Sequence, residues 1–224
     1  MTPGFFDTRR AAATVPLQSS LRGKRCLDVG TYDGFWAFEM ERRGAAEVVA
    51  VDVLDPLRWD WPGDTEQSAI DAIAGPKRES IAAFDHAAAA LRSKVERRDL
   101  SIYELSPETV GEFDVVYCGS LTLHLRDPVG ALAAVRTVCR ELLVYEDAID
   151  VSLSRLRRRT PSATFDGRGR PWWFRLNEAA LARVAEAAGF DVVAGPLRFD
   201  LPYGAGGPEG SDPHAALLAR PRRS

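Results

Sequence analysis

Lysine is nearly absent from this chain. Of its 29 basic residues only Lys24, Lys77 and Lys94 are lysines, and the rest are arginines. Cysteine is scarce as well, with Cys26, Cys118 and Cys139 lying singly and forming no C-x-x-C pair. That excludes a disulfide framework and a zinc site of the paired type, and leaves buried thiols in a reducing cytoplasm as the expectation. No apolar run approaches the roughly 18 residues that cross a bilayer. Met1 to Ser20 also has no continuous apolar stretch of the secretory kind, so neither membrane nor export is expected. The net charge of -3 leaves no excess of one sign, and no general affinity for nucleic acid follows from it. His86 and His214 have no ligand spacing, and there is neither an HExxH nor an acidic cluster, so no metal is expected. Internal repeats and long low-complexity tracts are missing too.

What is present is apolar material for a core, 46% of 224 residues, enough for one large domain spanning 1–224. Arginine and alanine are abundant together, which reads as the codon bias of a GC-rich bacterial genome. A short arm, 1–24, is expected to be helical from Arg9 to Ser20 apart from Pro16. Continuous apolar runs at Arg25–Val29 and Glu47–Asp52, separated by a helix from Phe35 that ends near Gly44, mark strands buried on both faces of a parallel sheet. The stretch 53–78, with Trp59, Trp61 and three prolines, reads as an irregular insertion over one edge of the sheet. Helical spacing resumes at Ile81, Phe84, Ala88 and Leu91.

Further strands are expected at Val95–Asp99, Phe113–Cys118 and Leu142–Glu146. Asp127-Pro128 supplies an N-cap and a first-turn proline for a helix carrying Leu132 and Val135. Asn177 caps another helix, with Leu181, Val184, Ala185 and Ala188 on one face and Gly189 at its end. Phe190–Ala194 and Ala215–Ala219 close the chain as strands around a Gly/Pro-rich loop, Pro202 to Pro213. Repeated βα units followed by two strands without a helix between them give an α/β Rossmann-like sheet. It is mostly parallel, has an antiparallel C-terminal end, and carries helices on both faces.

The densest chemical signal is Leu27-Asp28-Val29-Gly30-Thr31-Tyr32-Asp33-Gly34, between the first strand and its helix. Unpaired N–H groups open that helix at the carboxyl end of the strand, where open α/β sheets bind ligands. A dinucleotide loop would carry a second glycine where Tyr32 stands, which weakens a nicotinamide oxidoreductase reading. Asp52 ends the next strand, 22 residues after Gly30. A carboxylate there can accept both hydrogen bonds of a ribose diol. A ribose acid without a pyrophosphate loop points to a nucleoside cofactor.

The segment Asp28 to Trp36 followed by Val48-Val49-Ala50-Val51-Asp52 resembles motifs I and II of the class I S-adenosylmethionine-dependent methyltransferases. Phe113 to Ser120 is similar to their motif IV. Leu123-His124-Leu125-Arg126-Asp127-Pro128 resembles a stretch of the branch that includes the tRNA wobble-uridine carboxymethyltransferases. Trp172-Trp173, Asn177 and Ala188-Gly189-Phe190 are similar to that branch's C-terminal pattern. Leu123 stands where the branch usually has tyrosine. The branch's long N-terminal region is missing, which argues against tRNA and against the carboxylated cofactor. The resemblance implies S-adenosylmethionine as cofactor, with Asp28, Gly30 and Tyr32 toward its methionine end. Asp52 would take the ribose, Val53, Asp99 and Leu100 the adenine, and Gly119 and Ser120 would lie below the sulfonium. Asp28 as a mere turn cap and Asp99 as an ordinary strand-end acid remain open.

Methyl transfer from a sulfonium needs a base only where the acceptor must lose a proton. His124 is the expected base or substrate-orienting residue, with a loop-pinning role as its alternative. Glu146, with Asp147 beside it, is the alternative acid. Trp59, Trp61, Trp172 and Trp173 are expected to wall an acceptor pocket, or else to fill core. Arg155 opens a basic run through Arg159 that would hold an acidic group on the acceptor, or be solvated loop. The segment 150–175 is expected on the substrate side. The resulting expectation is methyl transfer to a small-molecule acceptor at oxygen, in specialised metabolism. Transfer of methyl or carboxymethyl to tRNA is a second reading, and cofactor binding without methyl transfer a third.

Overall fold

The computed structural model describes residues 6–204 and 208–222. Its centre follows from the apolar runs. Cys26 to Val29 of β1 (Arg25–Val29) and Val48 to Val51 of β2 (Glu47–Asp52) are all buried, as strands covered on both faces must be. With β3 (Glu96–Asp99), β4 (Phe113–Gly119) and β5 (Cys139–Ala148) they run parallel. A separate antiparallel pair, β6 (Ala163–Phe165) and β7 (Phe174–Leu176), precedes the long strands β8 (Phe190–Pro202) and β9 (Ser211–Pro221). The main sheet has the order β3-β2-β1-β4-β5-β9-β8, with β9 antiparallel to both neighbours. This is the mostly parallel sheet with an antiparallel C-terminal end that the repeated βα pattern predicts. The order reverses between β1 and β4, so the ligand crevice of an open sheet opens outside their carboxyl ends.

Two apolar layers cover the sheet. On one face α5 (Pro128–Val138) and α7 (Glu178–Ala187) pack Leu132, Val135 and Leu181 against Leu27, Val49 and Val116. On the other, α2 (Phe35–Arg42) and α3 (Gln67–Leu91) pack Trp36, Met40 and Phe84 with Cys26, Val48 and Val115. Gly34 makes that packing possible. A Cβ there would lie 2.4 Å from Phe38 and 2.5 Å from Phe84, and its φ of +87° suits only glycine.

Several boundaries differ from the sequence reading. The arm is helical only over α1 (Thr8–Ala11). Beyond it the chain turns and is then tied down by Arg43, which donates to the carbonyls of Ala12 (3.1 Å), Leu17 (2.5 Å) and Gln18 (3.0 Å). The stretch 53–78 is not irregular throughout, because α3 begins at Gln67 and runs through Gly75-Pro76. Proline removes one backbone bond from a helix interior, and here apolar burial of Phe84 and the Lys77–Asp52 ion pair hold the helix through that step. The last two strands reach further than 190–194 and 215–219 because each pairs along the other. Of the loop 202–213, residues 205–207 lie outside the described residues. The short helices α4 (Pro107–Val110) and α6 (Val151–Leu156) have too few residues to show a period.

Candidate functional site

The residues singled out on sequence grounds gather at the carboxyl ends of the parallel strands in three groups. The first lies on β1, β2 and β3. Asp28 is buried, and its Oδ2 accepts from Thr31 Oγ1 (2.6 Å) and from the Ala37 N–H (3.1 Å), tying the turn to the first turn of α2. Burial pushes its carboxyl up to about 7 against those two bonds. Tyr32 takes a left-handed backbone, φ +51°, which costs a non-glycine residue about 1–2 kcal/mol. That turn aims its N–H at Asp52 Oδ2, 2.8 Å away. Asp99 sits opposite Asp52 in the register of β2 and β3, and Leu100 N–H bonds the Asp52 carbonyl. Asp99 is exposed and already engaged by the Leu54 N–H (3.1 Å) and Arg58 (3.0 Å).

Trp59 belongs to this group rather than to an acceptor wall near His124. Its indole N–H bonds the Val53 carbonyl at 3.1 Å. Lys77, which the sequence reading passed over, joins them from α3. Its ammonium lies 2.7 Å from Asp52 Oδ2, near the rings of Tyr32 and Trp59. Its scarcity as a lysine, next to a Gly-Pro step, was the signal available for it.

The second group lies on β4, β5 and β9. Glu146 faces Gly119 across the strand register. A Cβ on Gly119 would come within 2.3 Å of both Glu146 Oε1 and the Tyr117 hydroxyl, so only glycine fits. Glu146 Oε1 accepts from Tyr117 (2.8 Å) and meets Ser120 Oγ (3.1 Å), while Oε2 is buried with no partner. Ser120, also left-handed at φ +47°, lies 3.1 Å from His214 Nε2. His214 Nδ1 faces the Asp212 carbonyl at 3.0 Å and therefore carries a hydrogen. One serine proton cannot serve Glu146 and a neutral His214 together. Satisfying both contacts requires one further proton on the Glu–Ser–His chain. Burial accordingly pushes the Glu146 carboxyl up.

The third group is the loop after β4. The Asp147 carboxylate accepts from Thr122 and from the Leu123 N–H (3.0 Å), fixing the turn that carries His124. The His124 Nδ1 lies 2.8 Å from the Pro171 carbonyl, so Nδ1 holds the hydrogen and Nε2 keeps its lone pair. No partner meets Nε2 among the described residues. Burial lowers the basicity of the ring, and the Pro171 carbonyl partly opposes that. Trp172 stands beside it, ring centroids 6.5 Å apart.

The segment after β2 closes over this loop as a cap. Asp60 Oδ2 accepts from the Tyr103 hydroxyl (2.7 Å) and the Arg126 N–H (2.8 Å). The Asp60 carbonyl accepts from the Trp173 indole (2.7 Å), Arg126 donates to the Trp61 carbonyl (3.0 Å), and Trp173 N–H bonds the Leu123 carbonyl (2.7 Å). Arg155 is not drawn in. It is exposed at the end of α6 and makes no bond to any of these residues. Among the described residues no group of three His, Cys, Asp or Glu could hold a metal, and no helix is long and apolar enough to cross a membrane.

The profile of a family described as a methyltransferase domain matches residues 6–194. The chain belongs to that methyltransferase family. It is assigned thereby to the class I S-adenosylmethionine-dependent methyltransferases, with S-adenosylmethionine as cofactor. A ubiquinone biosynthesis O-methyltransferase of Neisseria meningitidis serogroup C (strain 053442) is 29% identical over 185 residues, 78% of this chain and 66% of that protein. The methyltransferase thus spans slightly under two thirds of that relative's length. A Burkholderia thailandensis 1,6-didemethyltoxoflavin-N1-methyltransferase with bound S-adenosylhomocysteine shares the fold, at TM-score 0.62 and 17% identity over 96% of this chain and 78% of that one. A [4+2]-cyclase, SpnF, shares it too, at TM-score 0.60 and 15% identity over 100% of this chain and 89% of the other. Fold likeness at these identities carries architecture and not reaction.

Proposed function

We propose that this methyltransferase moves a methyl group from S-adenosylmethionine to a hydroxyl oxygen of a small molecule, in specialised metabolism, with His124 as the base. The site fits the cofactor on its own geometry. Asp52 presents one oxygen, Oδ1, that no donor among the described residues reaches, and the Lys77 ammonium on its other oxygen lies near the rings of Tyr32 and Trp59. Asp28, Gly30 and Tyr32 would serve the methionine end. Asp52 would hold the ribose, Val53, Asp99 and Leu100 the adenine, and Gly119 and Ser120 would lie below the sulfonium. When bound, the cofactor supplies an activated methyl group, so the residues are left to position the acceptor, exclude water and hold one proton.

The observation that carries the reading is His124. Its tautomer is fixed by Pro171, its Nε2 has no partner among the described residues, and the Trp172 ring stands beside it. His124 Nε2 would take the proton of the acceptor O–H as that oxygen accepts the methyl group the bound cofactor supplies. Glu146 is the less available base, because its oxygen is engaged inward in the chain with Ser120 and His214. Trp172 and Trp173 would bound the acceptor. The relative named for O-methylation supports oxygen as the acceptor atom. It does not favour the tRNA wobble-uridine branch.

The test pairs methyl-labelled S-adenosylmethionine with a panel of phenols and catechols, and with bulk tRNA. The expected result is label in a phenolic product, S-adenosylhomocysteine in equal amount, and turnover at least about 100-fold lower in His124→Ala. Calorimetric affinity for S-adenosylhomocysteine should stay within about threefold in that variant. An equal loss of both quantities would assign His124 to pinning its loop. Label in tRNA alone would establish the second reading, and binding without transfer to any acceptor the third.

A further inference from the structure

Lys77 is a buried ammonium with a single oxygen partner. Its side chain is 1% exposed, and among the described residues its only acceptor is Asp52 Oδ2 at 2.7 Å. The rings of Tyr32 and Trp59, centroids 5.5 and 5.7 Å away, soften the charge but offer no lone pair in the amide or hydroxyl sense. An ammonium has three donors, and burying unused ones is unfavourable, so two are left seeking an acceptor. The side chain is held there by α3, whose Phe84, two turns further on the same face, is packed against Gly34.

Asp52 is short of acceptors in the complementary way. Its Oδ2 already receives the Tyr32 N–H and Lys77, and only Oδ1 is open. A vicinal diol brings two hydroxyls. One can donate to Oδ1, and the oxygen of the other can accept from a neighbouring donor. Lys77, 2.7 Å from Asp52 Oδ2, has such donors unused. We propose that Lys77 is a second ribose-binding residue, donating to one hydroxyl oxygen of the nucleoside while Asp52 Oδ1 accepts from the other. This deepens the proposed function and rests on Asp52 as the ribose acid.

The scarcity of lysine supplies a spectroscopic test on the intact chain. With lysine nitrogens labelled, the intact chain has three ammonium groups to observe by NMR, and Lys77→Met identifies the buried one by its loss. S-adenosylhomocysteine and its 2′-deoxy and 3′-deoxy analogues are then added in turn. The expected result is a shift of the Lys77 signal with the parent ligand that one deoxy analogue fails to produce. Calorimetry on Lys77→Met should show affinity for the parent lowered about tenfold or more, with that same hydroxyl no longer contributing. A Lys77 signal moved identically by all three ligands would overturn the proposal. So would a Lys77→Met chain that binds the parent as tightly as the wild type or tighter, for then the lysine is a counter-ion or an occupant that the ribose displaces. Asp52→Asn separates the two readings. Weakened binding in that variant while Lys77 fails leaves the ribose acid standing, and unchanged binding removes Asp52 as well.

Discussion

At Asp28 a single buried carboxyl makes the stability of the whole chain depend on pH. The folded chain holds its proton up to about 7, whereas an unfolded aspartate releases it near 3.8. Stabilisation from that proton is complete below the unfolded value and is lost as the pH rises through the folded one, at up to about 1.4 kcal/mol per unit. Both inner bonds end on Oδ2, so Asp28→Asn preserves them with its amide oxygen. Urea unfolding at pH 5 and pH 7.5 should show stability falling with pH in both chains, and less steeply in the variant, where the buried Glu146 carboxyl still contributes. An undiminished slope in the variant would place the titration elsewhere. Asp28, Tyr32 and Asp52 were legible as residues because the spacing of a strand, a turn and the next strand fixes where they fall. Lys77 was not, since its reach to Asp52 depends on a helix that a Gly-Pro step conceals. The inward commitment of Glu146 was hidden for a related reason. Its partner His214 lies 68 positions away and meets it only through the antiparallel pairing of β5 and β9.

The sheet and the cap differ as elements in how plainly they are written. Strands buried on both faces must be apolar along their length, and β1, β2 and β4 were therefore evident. The cap over 53–66 is held by polar contacts between distant segments, which leave no periodic trace. Its fastening centres on Asp60, and Asp60→Ala removes the acceptor of the Tyr103 hydroxyl and the Arg126 N–H. Losing two such bonds corresponds to about 1–3 kcal/mol of local opening. Trypsin cleavage after Arg58, inside the cap, should therefore accelerate by roughly 5- to 100-fold. The melting temperature should move little, because no strand of the sheet is touched. A large fall in melting temperature without faster cleavage would mean that Asp60 supports the core and not the cap.

For the whole molecule, a ligand that binds only the folded chain stabilises it in proportion to its saturation. S-adenosylhomocysteine at 100 times its dissociation constant should add about 2.7 kcal/mol. For a chain of this size that corresponds to a rise of about 5–11 °C in melting temperature. The absence of any rise would contradict a preformed nucleoside site at the ends of β1 to β3. Three of the ties that fasten the cap to the loop after β4 end on carbonyl oxygens, those of Leu123, Asp60 and Trp61. Every amino acid brings a carbonyl. The side chain at 123 can therefore change without breaking the tie its carbonyl makes, and a lineage carrying this architecture can drift from one acceptor shape to another while its scaffold stays closed.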